Sequence, residues 1–228
     1  MVEEVEDKEN PFLRQTGIFN PDDFENVRVT IVGCGGIGSA TAICLAKMGF
    51  RHFSLWDNDL IENHNLSNQF FGKMHLGRPK TEAVAEMIES FSPINPLVEI
   101  HGLVEKDSTI ETDILILGTD SLESRKLAYE AAQRASPPQY VIDGRNGRTA
   151  HMIYSFAWSD DKKRKMYEKT LNLPPINVAE VNCSDRAVIF GLMGVAAEIG
   201  SAARNLLQER QSPLKLTHDY NFGFFTKE

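Results

Sequence analysis

The sequence predicts an α/β fold: one mostly parallel sheet with helices on both faces, and a few antiparallel strands near the C-terminus. Three observations predict it. Short β-branched apolar runs alternate with amphipathic stretches along most of the chain. A glycine-rich turn leaves the first such run and enters the first helical one. The last third changes character, with a half-polar strand, a charged connection and an isolated "FGFF".

The elements follow in order. Residues 1–10 are acidic and read as a solvated tail. "FNPDDFEN" (19–26) opens like a short helix, with Asn20 as cap and Pro21 at the first helical position. "VRVTIVG" (27–33) is a buried strand by composition. From Gly36 to Met48, Ile37, Ala40, Thr41, Cys44 and Met48 recur at helical spacing. Residues 52–57 form a second strand, and 79–91 a helix with proline near its start and "SPINP" after it. "LVEIHGLV" is a strand, 113–120 a strongly apolar strand ending in a polar turn, 121–135 a helix, and 139–143 a strand. Residues 148–158 alternate as a longer, half-exposed strand. Residues 159–185 are charged, contain proline and show no clear period, so they read as a long crossover loop. Residues 186–209 are an apolar helix, and "FGFF" an edge strand. No repeat or low-complexity linker divides the chain, so 1–228 reads as a single domain.

Composition narrows the function classes. A net charge of −8 argues against general nucleic-acid or membrane binding. No run approaches a membrane span, and the N-terminus lacks the apolar core of a signal peptide. The three cysteines, Cys34, Cys44 and Cys183, form no CxxC pair, which argues against a tetrahedral zinc site and suits a reducing cytoplasm. The six histidines have no metal-ligand spacing and read as structural or surface residues.

The chemistry begins at "GCGGIG". Gly33, Gly35 and Gly38 form a G-x-G-x-x-G pattern between strand and helix, giving a Rossmann-like nucleotide turn. The helix start that follows offers unpaired amides to phosphate. Asp57, at the next strand end, is placed to accept from ribose hydroxyls. NAD, ATP and S-adenosylmethionine all carry that ribose, so this signature leaves the ligand open.

The segments beyond it carry a resemblance. "VTIVGCGGIGSATAICLAKMGFRHFSLWDNDLIENHNLSNQFF", "LGRPKTEAV", "GTDSLESR", "FLRQTGIF" and "GLMGVAAEIGSAARNLL" occur in the order of the ThiF/MoeB/ubiquitin-activating-enzyme superfamily, which the chain resembles over roughly residues 12–210. The resemblance implies an ATP- and magnesium-dependent adenylyltransferase. It would activate the C-terminal carboxylate of a small ubiquitin-like protein or peptide, commonly as a homodimer. It implies a nucleotide cradle at Gly33, Gly35, Gly36 and Gly38, ribose binding by Asp57, and nucleotide contacts from Asp59, Asn65, Asn68 and Gln69. It assigns Lys80 to the phosphates, Asp120 to magnesium, and Arg14 to phosphate in a neighbouring subunit.

Each assignment has a plainer counterpart: Lys80 as a solvated helix-start lysine, Asp120 as a helix cap, Arg14 as a surface charge. Cys183, before the last helix, is either a nucleophile that captures the activated carboxylate or part of a helix start. One departure stands out. "NLSNQF" puts Asn68 where the family pattern has arginine, so one cation of the phosphate clamp is missing. Lys73 and Arg78 are nearby substitutes. Arg145 and Arg148 are further ones, although "DGRNGR" reads more simply as a hairpin turn with exposed arginines. Asn68 also supports a second reading, the inactive half of a heterodimer; a nicotinamide oxidoreductase is a third.

Overall fold

Every run read as a strand lies in one eight-stranded sheet. The computed structural model describes residues 10–147, 149–172 and 187–228. Its strands are β1 (Arg28–Val32), β2 (His52–Trp56), β3 (Leu97–His101), β4 (Ile114–Leu117), β5 (Tyr140–Gly147), β6 (Ala150–Ala157), β7 (Lys215–Asp219) and β8 (Phe224–Lys227). They lie in the order β3-β2-β1-β4-β5-β6-β7-β8. Neighbours from β3 to β5 are parallel, and those from β5 to β8 antiparallel. The sheet grows outward from β1 through β2 to β3, then restarts at β4 on β1's other side. At such a reversal the connections diverge and leave a crevice beyond the C-terminal strand ends.

The helices are α1 (Gly36–Met48), α2 (Lys80–Phe91), α3 (Leu122–Ala135), α4 (Asp161–Leu171) and α5 (Ile189–Leu207). One core joins α1, α2 and α5 to one sheet face, and a second joins α3 and α4 to the other. β4 shows why its run lacks alternation: Ile114 and Ile116 enter the first core, Leu115 and Leu117 the second, and all four are buried. Full burial of each such side chain contributes about 1.5–3 kcal/mol as an upper estimate. α1 is itself sandwiched, which explains its small residues. A Cβ on Gly200 of α5 would lie 2.9 Å from Cys44 Sγ. α1 ends at Gly49, in the left-handed region at φ 95°, where its N–H reaches the carbonyls of Leu45 and Ala46.

The N-terminal segment docks on that end of α1. Phe12 and Phe19 are buried, Phe19 stacks on Phe24 and Phe50, and Gln15 Nε2 donates to Met48 O at 2.8 Å. The short helix expected at 19–26 is a single 3-10 turn, Pro21–Phe24, capped by Asn20.

Two expectations change. Part of 159–185 is not a loop: α4 starts at Asp160, whose side chain accepts from Lys163 N at 3.0 Å, and it buries Tyr167 and Leu171. The run "DDKKRKMYEKT" hid the helix because only those two positions, one turn apart, carry its apolar contact. The remainder, 173–185, lies outside the described residues, as do 1–9. β7 was also unread, since "KLTHD" is half polar and lies between two antiparallel partners.

Candidate functional site

The glycine loop follows β1 directly into the crevice. A Cβ on Gly33, at φ +92°, would lie 2.8 Å from Thr119 N; one on Gly38 would lie 1.9 Å from Gly33 O. Those two glycines are needed by the protein's own packing. A Cβ on Gly36 would meet Leu192 Cδ1 at 2.7 Å, so α5 also closes on this turn. α1 then begins with no side-chain cap, which leaves its first amides directed at the cavity rather than paired.

Asp57 ties this loop to the end of β2. Its Oδ2 accepts from Cys34 N at 2.7 Å and its Oδ1 from Asp59 N at 2.8 Å. Burial raises its pKa, opposed by those two donors and by Lys80. Lys80 is not a solvated lysine. Its side chain is 9% exposed, and Nζ meets Asp59 Oδ2 at 2.6 Å. The backbone repeats the link: Lys80 N donates to Asp59 O at 3.0 Å, and Leu60 bridges Pro79. The connection between them is therefore pinned at both ends. Within it, Asn65 is buried, and its Oδ1 accepts from Glu62 N at 2.9 Å while its carbonyl accepts from Gln69 N at 2.9 Å. That turn presents Asn68 and Gln69. Asn68 Oδ1, Gln69 Oε1 and Thr119 Oγ1 are buried with no partner among the described residues. Unpaired buried oxygens beside a glycine cradle are what a hydrogen-bonding ligand satisfies.

The opposite wall is the turn after β4. Asp120 is exposed there and does not cap α3; Ser121 does, accepting from Ser124 N at 3.0 Å. Beneath the turn is Arg125, which sequence reasoning passed over. It is buried and donates to Leu117 O at 3.2 Å, to Thr119 O and to the fully buried Asp143. Asp143 also accepts from Arg145 Nε at 2.9 Å and Tyr167 OH at 3.1 Å. The signal was present: Arg125 shares an apolar stripe with Ala128, Tyr129 and Ala132, where a cation requires a buried partner.

The glycine loop, the end of β2, Lys80 and the turn after β4 face one cavity of about 1130 Å³, lined by Gly33, Gly35, Gly36, Asp57, Asp59, Asn65, Asn68, Gln69, Lys80 and Asp120. Trp56, Leu103, Val104 and Leu127 give it an apolar end, and Trp56 stacks on His101 with centroids 4.3 Å apart. Gly38 sits behind the lining, in the helix–strand contact.

Residues 12–214 match the description "ThiF family". The chain belongs to the ThiF family. Among relatives, it is 27% identical over 216 residues to the Yarrowia lipolytica adenylyltransferase and sulfurtransferase UBA4, an alignment covering 90% of this chain and 53% of that one. It is 33% identical over 129 residues to the Schizosaccharomyces pombe NEDD8-activating enzyme E1 catalytic subunit, covering 50% and 29%. The chain thus spans about half the length, or less, of these relatives. Its fold matches E. coli MccB, crystallised with AMPCPP and MccA, at a TM-score of 0.72 and 20% identity, covering 96% of this chain and 71% of MccB.

The other described candidate cations lie off this cavity's lining. Arg14 does not line its own chain's cavity; it is exposed on the segment docked at the C-terminal end of α1. That helix has 13 residues, so the far end lies roughly 20 Å from the glycine loop. Arg78 does not replace the cation missing at Asn68, because it pairs with Glu86 at 2.7 Å. Lys73 is exposed and off the lining. Arg145 is not an exposed turn residue: it pairs with Asp143 and donates to Thr170 Oγ1 at 2.9 Å. Arg148 and Cys183 lie outside the described residues. Among the described lining residues, Asp57, Asp59, Asp120 and Glu123 face Lys80 alone among lysines and arginines. No cluster of three or more His, Cys, Asp or Glu among the described residues could hold a metal by itself, and no described helix is long and apolar enough to cross a membrane.

Proposed function

We propose that the chain is an ATP-dependent adenylyltransferase that activates the C-terminal carboxylate of a small ubiquitin-like protein or peptide. The observation that carries the reading is the convergence of Lys80, Asp57 and Asp120 with the uncapped start of α1 on one cavity. The names of the family relatives support the same activity.

ATP is a substrate here. Asp57 holds its ribose, the apolar end takes its base, and Gly35, Gly36 and the α1 amides face its phosphates. Asn68, Gln69 and Thr119 supply the neutral hydrogen bonds their unpaired oxygens call for. The incoming carboxylate is ionised at neutral pH, so no base is required. Its oxygen bonds to the α-phosphorus, the bond to the bridging oxygen breaks, and pyrophosphate leaves with that electron pair. Lys80 offsets charge on the phosphates, in exchange for part of its contact with Asp59. Asp120, exposed on the wall and not engaged in capping, would hold the magnesium, which neutralises phosphate charge when bound. One carboxylate suffices, because Mg²⁺ takes most of its ligands from phosphate and water.

Four carboxylates against one lysine leave the site short of positive charge. Arg14 supplies it from a second copy, which makes the working form a homodimer, in the cytoplasm. The test is carboxylate-dependent ATP–pyrophosphate exchange. Exchange that falls about 10²–10³-fold in Lys80→Ala supports the reading; no exchange with any carboxyl partner overturns it. Asn68 favours a second reading, the weak or inactive half of a heterodimer. That reading predicts exchange only after a companion subunit is added.

A further inference from the structure

Away from the cavity, the buried polar atoms with no partner among the described residues include Asn146 Nδ2 and Oδ1 and His151 Nδ1 and Nε2. They belong together. Asn146 on β5 is directly opposite His151 on β6, and His151 is opposite His218 on β7, so the three side chains form one row across the sheet. The row lies under the start of α5. Asn146 Oδ1 is 3.4 Å from where a Cβ on Gly191 would be, and His151 Cε1 is 3.1 Å from the same point on Gly194. His151 is 2% exposed. Tyr220, stacked on His218 with centroids 4.1 Å apart, and the half-exposed Phe190 form the outer wall.

A buried imidazole and a carboxamide with every polar atom unpaired are costly to keep, since each missing hydrogen bond costs about 1–3 kcal/mol. No described residue supplies the missing partners. Their position suggests what does. Leu192, next to Gly191, closes on Gly36 of the glycine loop. On β5, Gly144 packs against Ile37 of α1, and Asn146 is one pleat further, about 7 Å.

We infer that Asn146 and His151 form a subsite that binds an amide group in the tail of the acyl substrate. This rests on the adenylyltransferase reading. The chemistry selects an amide because both partners are neutral and each presents one kind of donor and one acceptor. Burial and the neighbouring His218 lower the His151 pKa to about 4, which keeps the ring neutral. A carboxylate would face Asn146 Oδ1, and neither Asn146 nor His151 carries the negative charge that an ammonium needs. The amide comes either from the tail's main chain or from a carboxamide side chain.

The test uses the full chain with ¹⁵N-labelled histidine, without ATP or substrate, so it can fail while pyrophosphate exchange holds. The His151 ring signals are assigned with His151→Phe and titrated with N-methylacetamide, acetamide and acetate. Saturable shifts with the amides, lost in Asn146→Leu, are expected. A stronger response to N-methylacetamide identifies a main-chain group, and a stronger response to acetamide a carboxamide side chain. No saturable shift, or an equal shift with acetate, overturns the inference. Asn146→Leu also separates recognition from structure. A binding residue left unpaired in the unliganded protein gives a higher Tm when replaced; a fall in Tm would make Asn146 structural and refute the proposal.

Discussion

Arg125 gives the sharpest test of how the fold builds the site. Arg125→Met keeps the length and apolar stem of the side chain and removes only the guanidinium. Three contacts go at once: those to Leu117 O, Thr119 O and Asp143. Asp143 is fully buried, and removing one member of a buried pair costs about 3–5 kcal/mol. Arg145 and Tyr167 stay on that carboxylate, so the lower end applies, about 3 kcal/mol. In a chain of this size that lowers Tm by roughly 6–12 °C. Thr119 also loses its anchor, and the turn carrying Asp120 loosens, so ATP binding weakens about tenfold, or ~1.4 kcal/mol. Thermal melting and calorimetric ATP titration read the two effects. A Tm within about 2 °C of the parent would refute the reasoning, because the guanidinium would then be solvated rather than structural.

Further outcomes follow from the same geometry. Gly38→Ala puts a methyl group 1.9 Å from Gly33 O, so the variant melts lower by well over the usual 1–3 kcal/mol of overpacking and binds no ATP in calorimetry. Asn68→Arg adds a cation to a cavity whose own lining offers only Lys80, and is expected to recover part of the pyrophosphate exchange lost in Arg14→Ala; no recovery would count against Arg14 as the source of that charge. His151 gives a pH signature. Burial, then His218, lowers its folded pKa to about 4 from 6.5, so the unfolded chain binds the proton first. Its contribution is therefore complete above pH 6.5 and is lost as pH falls toward 4, amounting to about 3 kcal/mol. Urea melts across that range are expected to be flatter for His151→Phe than for the parent protein.

Much of this was legible in the chain. Alternating apolar runs gave the parallel half of the sheet, because fully buried strands leave unbroken β-branched stretches such as 114–117. The glycine loop, Asp57, Lys80 and Asp120 converge on one cavity as the motif order implied. What escaped depends on partners distant in sequence. α4 shows its apolar contact at only two positions. The carboxylate partner of Arg125, a helix residue, is 18 residues away on β5. Arg145 read as a turn arginine because nothing local names Asp143, Tyr167 and Thr170 as its neighbours. His151 looked structural, as most isolated histidines are, and only the sheet register puts it beside Asn146 and His218.

The central claim is that this cavity takes ATP, and ligand-dependent melting tests it without any knowledge of the acyl partner. At a hundred times its Kd, a ligand that binds only the folded state adds about 2.7 kcal/mol, or roughly 5–11 °C here. Magnesium with ATP is expected to raise Tm in that range, with the gain largely lost in Lys80→Ala. A gain with NAD(H) and none with ATP would contradict the account.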